Sequence, residues 1–248
     1  MARLDSKRII VTGAASGIGK AVAQACLAEG AQVVIADFNA ALGQQTATAI
    51  GAGFIACDVS DEQSVVAMVG EAVAKMGGLD GLVNNAGLQK AGPIAQTTVA
   101  DWDDLMGVNV RGVFLATREA IPHLKAAGGG SIVNTASLAA KRGGPGIGAY
   151  AASKGAVMAF TTATALELAK DGIRANSICP GFIDTPFNNP AIGFMGGREA
   201  QAELVKTMVP LGRQATPEEV APMYVYLLSD ESGYVTAQAL SIDGGVYN

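Results

Sequence analysis

The chain has 248 residues, half of them hydrophobic and 16% charged, with a formal net charge of −5. That length is common for one α/β domain, and so apolar a chain holds enough material for a large buried core. No basic run exceeds two residues, which argues against nucleic acid or an anionic membrane as the main partner.

In chain order, short apolar runs alternate with longer helical stretches. A strand-like run, R-I-I-V-T (8–12), begins seven residues in and leaves no room for a signal peptide. The glycine-rich T-G-A-A-S-G-I-G (12–19) follows and opens a helix over 18–29. Glycines at such a bend let the backbone approach a pyrophosphate, while helix N–H groups and the macrodipole receive its charge. The second strand, Q-V-V-I-A (32–36), ends at Asp37, 18 residues beyond Gly19. An acidic side chain there accepts from both ribose hydroxyls of an adenosine and repels a 2′-phosphate. With no Arg or Lys in 13–17 or 36–40, the pattern favours NAD over NADP.

Further strands are expected at 54–57, 81–84, 131–135, 174–178 and 239–242, with helices near 40–50, 61–76, 100–126, 149–170 and 217–229. Continuous Val/Ile runs between helices mean strands covered on both faces, hence a parallel sheet between two helical layers. The stretch 180–216 breaks this rhythm. It is rich in Pro, Gly and aromatics, and its Phe182, Phe187, Ile192, Phe194 and Met195 suit a substrate lid at about 182–208. No linker or repeat divides the chain, so a single domain over 1–248 is expected. No apolar stretch reaches the ~18 residues of a membrane helix. One histidine, His123, and three scattered cysteines (Cys26, Cys57, Cys179) offer no zinc ligand set, no His-based triad and no disulfide framework. No metal is expected, and the cysteine usage suits a reducing cytoplasm.

Tyr150 and Lys154, in Y-A-A-S-K, lie one turn apart on the same face of the helix 149–170 with only small residues between them. Taken with N-N-A-G (84–87), Asn109 in G-V-N-V-R-G-V-F, Ser137 in T-A-S, P-G (180–181), Thr185 and the closing S-I-D-G-G, the chain resembles the classical short-chain dehydrogenase/reductase family over nearly its whole length. The resemblance implies a three-layer, Rossmann-type, doubly wound parallel sheet of seven strands. It implies that Tyr150 is the general acid/base, with Lys154 favouring its phenolate and donating to the nicotinamide ribose. Ser137 would donate to the substrate oxygen, and Asn109 would anchor a water relaying protons to Lys154. The cofactor would lie along Gly13, Ser16, Gly17, Ile18 and Gly19, with Asp37 on the adenosine ribose and Asp58 and Val59 at the adenine. Asn85, Ala86 and Gly87 would border the ribose, and Pro180, Gly181, Ile183 and Thr185 the nicotinamide end. The Asn side chains of N-N-A-G have a second reading, as braces of the central strand.

Small residues on the helix 149–170 (Ala152, Gly155, Ala156, Ala159, Ala163), together with the habits of relatives, point to a homotetramer. The activity so implied is NAD-dependent interconversion of a secondary alcohol and a ketone on a small molecule. The alternatives are reduction of 3-oxoacyl-carrier-protein thioesters and a non-catalytic NAD-sensing protein. Lys90, Lys141 and Arg142 flank the expected pocket and are candidates for meeting an anionic substrate.

Overall fold

The computed structural model describes residues 2–247. Seven strands form one sheet: β1 (Arg8–Thr12), β2 (Gln32–Asp37), β3 (Gly53–Ala56), β4 (Gly81–Asn84), β5 (Gly130–Thr135), β6 (Ile173–Pro180) and β7 (Ala239–Ile242). Every pairing is parallel, in the order β3-β2-β1-β4-β5-β6-β7. The winding direction reverses between β1 and β4. Chain segments leaving those two strands diverge to opposite faces and open a crevice at their carboxyl ends, where ligands of such sheets bind.

The strand sequences dictate the two cores, because alternate side chains point to opposite faces. Ile9, Val11, Val33, Ile35, Val83 and Val133 face one side, where they bury Val22 and Cys26 of α1 (Gly17–Ala28) and Tyr224 and Val225 of α10 (Pro217–Leu228). Ile10, Val34, Leu82 and Ile132 face the other. There they meet α3 (Glu62–Met76), α5 (Gly112–Ala126) and α7 (Gly148–Leu168) through Met68, Leu115 and Ala165. Each fully buried Ile or Leu contributes ~1.5–3 kcal/mol, so the two cores hold the three layers together.

The helices start and stop where local chemistry says they should. Asn39 caps α2 (Ala40–Ile50) by accepting from Leu42 N, and Asp61 caps α3 by accepting from Ser64 N. Both helices end at left-handed glycines, Gly51 and Gly77. Thr216 and Glu219 form a capping box at α10.

Three regions depart from the sequence reading. The single helix expected over 100–126 is broken into α4 (Val99–Met106), a π turn (Gly107–Arg111) and α5. The buried Asn109 side chain ties the π turn to Leu88 and Ser153, and Gly112 lets it approach Val59 where a Cβ would stand 3.0 Å away. A short helix, α6 (Leu138–Arg142), follows β5, too brief to leave a periodic trace. The irregular stretch after β6 contains α8 (Asn189–Phe194) and α9 (Arg198–Met208), which pack over the sheet's carboxyl edge. No described helix is long and apolar enough to cross a membrane.

Candidate active site

A cleft of about 800 Å³ runs along the carboxyl ends of the central strands. Its floor begins where β1 ends. The Thr12 hydroxyl receives Asn85 N (3.1 Å) and Ala86 N (3.2 Å), clamping the loop after β4 onto the loop after β1. The Asn85 amide donates to the carbonyls of Thr12 (3.2 Å) and Gly13 (2.9 Å). The clamp is so close that a Cβ on Gly13, at φ +63°, would sit 2.5 Å from Ala86 Cα. One on Gly19 would lie 2.3 Å from the Gly13 carbonyl oxygen. Asn84 reaches the other way, donating to Thr117 Oγ1 (3.1 Å) and Asn134 Oδ1 (2.8 Å). Both asparagine side chains therefore brace the strand ends, while Asn85, Ala86 and Gly87 also line the cleft.

Helix α1 differs from its neighbours at its N-terminus. Its N-cap, Ser16, is extended and makes no side-chain cap bond, and no acidic residue occupies the first turn. The first-turn N–H groups beside Gly17 and Ile18 thus keep the equivalent of about half a positive charge facing the cleft. That is the donor set a pyrophosphate requires. Thr185, after β6, folds over the loop, its Cγ2 3.5 Å from where a Gly17 Cβ would stand. Gly181 passes Asp243 of the closing S-I-D-G-G so tightly that a Cβ would be 2.8 Å from Asp243 Cα.

At the far end of β2, Asp37 Oδ2 accepts from Ala15 N and Oδ1 from Asn39 N, both at 2.9 Å. Its carboxylate is anchored at the cleft wall with lone pairs remaining, beside the highly exposed Phe38. Asp58 accepts from Ser60 N and Oγ across the same end, next to Val59. Among the described residues, the only basic side chains lining the cleft are Arg142 and Lys154, and neither stands in these loops. This end of the cleft therefore carries two carboxylates and, among the described residues, no cation.

The other end carries the titratable cluster. Ser137 ends β5 and caps α6, its Oγ accepting from Ala139 N at 3.1 Å. Tyr150 and Lys154 project from the first turns of α7, both buried. Burial pushes the Tyr150 phenol up to about 12, with the Ser137 hydroxyl pulling against it. Burial also pulls the Lys154 ammonium down to about 8. The expected lowering of the phenol by Lys154 is absent in the free protein. The reason is that both groups share one desolvated wall, and Lys154 turns its ammonium to the Thr135 carbonyl at 2.7 Å. Thr135 also shares a 2.8 Å hydrogen bond with the buried Tyr224 hydroxyl. Sequence reading missed Thr135, since a strand-end residue that acts through its carbonyl carries no side-chain signature.

The long segment after β6 supplies the opposite wall. Phe187 lies 6.2 Å from Tyr150, ring centre to ring centre. Phe194 closes against Gly146, where a Cβ would meet the ring at 2.1 Å. Ile183 is buried beneath this wall, its backbone bridged to Ala215.

Asn109 does not line the cleft with its side chain. Its Oδ1 accepts from Leu88 N (2.7 Å), and its amide donates to Leu88 O and Ser153 Oγ, both at 2.9 Å. A water held by this residue would have to use its main-chain carbonyl in the π turn. Two of the three candidate anion-binding cations are engaged elsewhere. Lys90 pairs with Asp101 and Asp104, both at 2.7 Å, and Lys141 donates to Ala239 O (2.7 Å) and Ser241 Oγ (2.8 Å). Only Arg142 stands at the cleft.

The family model described as Enoyl-(Acyl carrier protein) reductase matches residues 13–247. The chain is 37% identical over 246 residues to meso-2,3-butanediol dehydrogenase of Serratia marcescens, covering 98% of this chain and 95% of the relative. It is 40% identical over 250 residues to cyclopentanol dehydrogenase of a Comamonas species, with 99% and 98% covered. Against a 3-oxoacyl-[acyl-carrier-protein] reductase of Thermotoga maritima it is 39% identical over 249 residues, with 98% and 99% covered.

Proposed function

Since the chain belongs to the short-chain dehydrogenase/reductase family, oxidoreductases that work with a nicotinamide cofactor, we propose that it uses NAD to interconvert a secondary alcohol and its ketone. The observation that carries this reading is the Ser137–Tyr150–Lys154 cluster at one end of a cleft whose other end is acidic. When bound, the nicotinamide ring accepts or returns the hydride. Ser137 Oγ donates to the substrate oxygen and holds it beside the phenol. In oxidation Tyr150 takes the hydroxyl proton as the C–H bond gives up its hydride; in reduction it returns that proton to the carbonyl oxygen. Lys154, which donates to Thr135 O, would also hold the nicotinamide ribose and stabilise the phenolate electrostatically. Proton transfer onward runs to solvent through a water on the Asn109 carbonyl.

Choice of NAD follows from charge. A 2′-phosphate would enter an end that holds Asp37 and Asp58 and no cation, whereas free ribose hydroxyls can donate to Asp37. A screen of secondary alcohols, hydroxy acids and sugars with NAD, following absorbance of the reduced cofactor, tests the reading. Within it, Asp37→Ala is expected to lower the ratio of kcat/KM for NAD over NADP by about tenfold or more. An unchanged ratio would remove Asp37 from the ribose. Butanediol and cyclopentanol dehydrogenases among the relatives support an alcohol substrate. The acyl-carrier-protein reductase relative supports the second reading, acyl-thioester reduction, which exclusive turnover of such thioesters with NADPH would favour.

The proposal includes a homotetramer formed through the outer surfaces of α5 and α7. These carry the exposed Phe114 and Leu166, and Gly155 leaves open space on α7. Light scattering should return four times the chain mass, and a monomer would end this part of the reading. Three buried free cysteines suit a reducing, cytoplasmic setting.

A further inference from the structure

Among the described residues that line the cleft, Gln89 is the one with a buried side-chain atom that lacks a hydrogen-bond partner. Gln89 lies in L-Q-K-A-G-P-I, directly after the loop that carries Gly87. Its Oε1 is shut off from solvent and has no hydrogen-bond partner. Buried amide oxygens are nearly always paired, so an orphan one beside a cleft points to a missing donor.

The backbone around Gln89 is held on both sides, which fixes where its side chain starts. Leu88 exchanges two hydrogen bonds with the Asn109 side chain, and Gly92 N donates to Gly146 O at 2.8 Å. A Cβ on Gly87 would lie 3.5 Å from Lys154 Nζ and 3.6 Å from the Phe187 ring, and Leu88 packs in the cluster that contains Tyr150. Gln89 therefore belongs to the substrate end of the cleft. That end is lined by the apolar Leu88, Leu138, Pro145, Ile147 and Phe187 as well as by Arg142 and the Ser137–Tyr150 pair. The terminal torsion of a glutamine is soft and roughly two-fold, which leaves the amide of this cleft-lining residue free to turn.

We propose that Gln89 is a specificity-determining residue whose amide oxygen accepts a hydrogen bond from a second hydroxyl of the substrate, so that diols, and hydroxyketones in the reverse direction, are preferred to simple alcohols. The largely apolar surround gives this contact weight. A substrate without the hydroxyl leaves the amide unpaired in the closed site, whereas one with it satisfies both partners. This inference rests on the alcohol–ketone reading given above.

Cyclohexanol and cyclohexane-1,2-diol test it, through kcat/KM with NAD and through the dissociation constant of each compound from the protein–NAD complex. The unsubstituted protein is expected to favour the diol by about tenfold or more in both measurements. Gln89→Met, of similar length and apolar, should bring both ratios to within about twofold of one, with the kinetic change mainly in the diol KM. Gln89→Glu keeps an acceptor and should retain most of the preference. That variant also decides the matter if Gln89→Met fails to fold, because loss of preference in Gln89→Glu overturns the proposal. Equal handling of the two compounds by the unsubstituted protein, or an unchanged ratio in Gln89→Met, overturns it as well. If neither compound is oxidised but the diol binds more tightly and loses that advantage in Gln89→Met, the Gln89 subsite stands and the alcohol–ketone reading falls.

Discussion

Replacing Tyr150 by Phe should lower kcat by about 10²–10⁴-fold while the protein still binds NAD and melts near its original temperature. The change deletes one oxygen and keeps the buried ring against Phe187, so packing and cofactor contacts have little reason to alter. Such a loss corresponds to ~3–5.5 kcal/mol of barrier, the size expected when a positioned acid/base is removed and water takes over. The pH dependence gives an independent check on the same oxygen. Burial holds the phenol at about 12 in the free protein, so near neutrality it is almost wholly protonated. Oxidation needs the phenolate, whose fraction rises with pH below the phenol's pKa. Accordingly kcat/KM for alcohol oxidation should climb between about pH 6 and 9, while ketone reduction, which uses the protonated phenol, stays flat over that range. Lys154, pulled down to about 8, loses its charge toward the top of that window and should bend the rising limb over. In Tyr150→Phe the slope for oxidation should vanish. Near-normal kcat in that variant, or a slope that survives it, would show that another group moves the proton.

Gly19→Ala is expected to weaken NAD binding by at least about 100-fold and to cost ~1–3 kcal/mol of stability. The added methyl would stand 2.3 Å from the Gly13 carbonyl oxygen, 2.5 Å from Asn85 Nδ2 and 2.9 Å from Ala14 Cα. Two of these atoms are backbone, and the third is the amide that clamps the two loops together. Relief requires the first turn of α1 to move away from the loop, which displaces the N–H groups offered to the pyrophosphate. Gly70→Ala serves as the control. It sits exposed in α3 with nothing within 4 Å of the new methyl, and should stabilise the helix by up to ~1 kcal/mol. Calorimetric titration with NAD and thermal melts of both variants read the two effects separately. Unimpaired NAD binding by Gly19→Ala would mean that the helix start is not where the cofactor's phosphates rest.

Much of this molecule is legible in its sequence. The seven strands stand within two residues of the segments read as strands, most plainly in β1, β2 and β5, where a doubly covered parallel strand needs a continuous apolar run. The helices with long amphipathic stretches and clear caps, such as α2 and α3, fall within a residue or two of expectation. Tyr150 and Lys154 meet on one helix face because four residues make about one turn. Loop T-G-A-A-S-G-I-G opens α1 because glycine alone tolerates the approach of Ala86 and Asn85.

What the residues by themselves decided, then, is everything governed by local period and backbone freedom: strand and helix positions, the tight glycine turn, and the Tyr–Lys face. Tertiary structure alone decided which partners distant groups find. Lys141 is drawn to Ser241, 100 positions away, and Lys90 to Asp101 and Asp104, so neither waits for an anion. Asn109 closes on Leu88 and Ser153 and bends its helix into a π turn. Burial in a shared wall, which no spacing encodes, raises the Tyr150 phenol and lowers the Lys154 ammonium together. The same enclosure leaves Gln89 with an unpaired oxygen. Periodicity is a property of neighbours along the chain, whereas desolvation and hydrogen-bond choice depend on what the fold brings within a few ångströms.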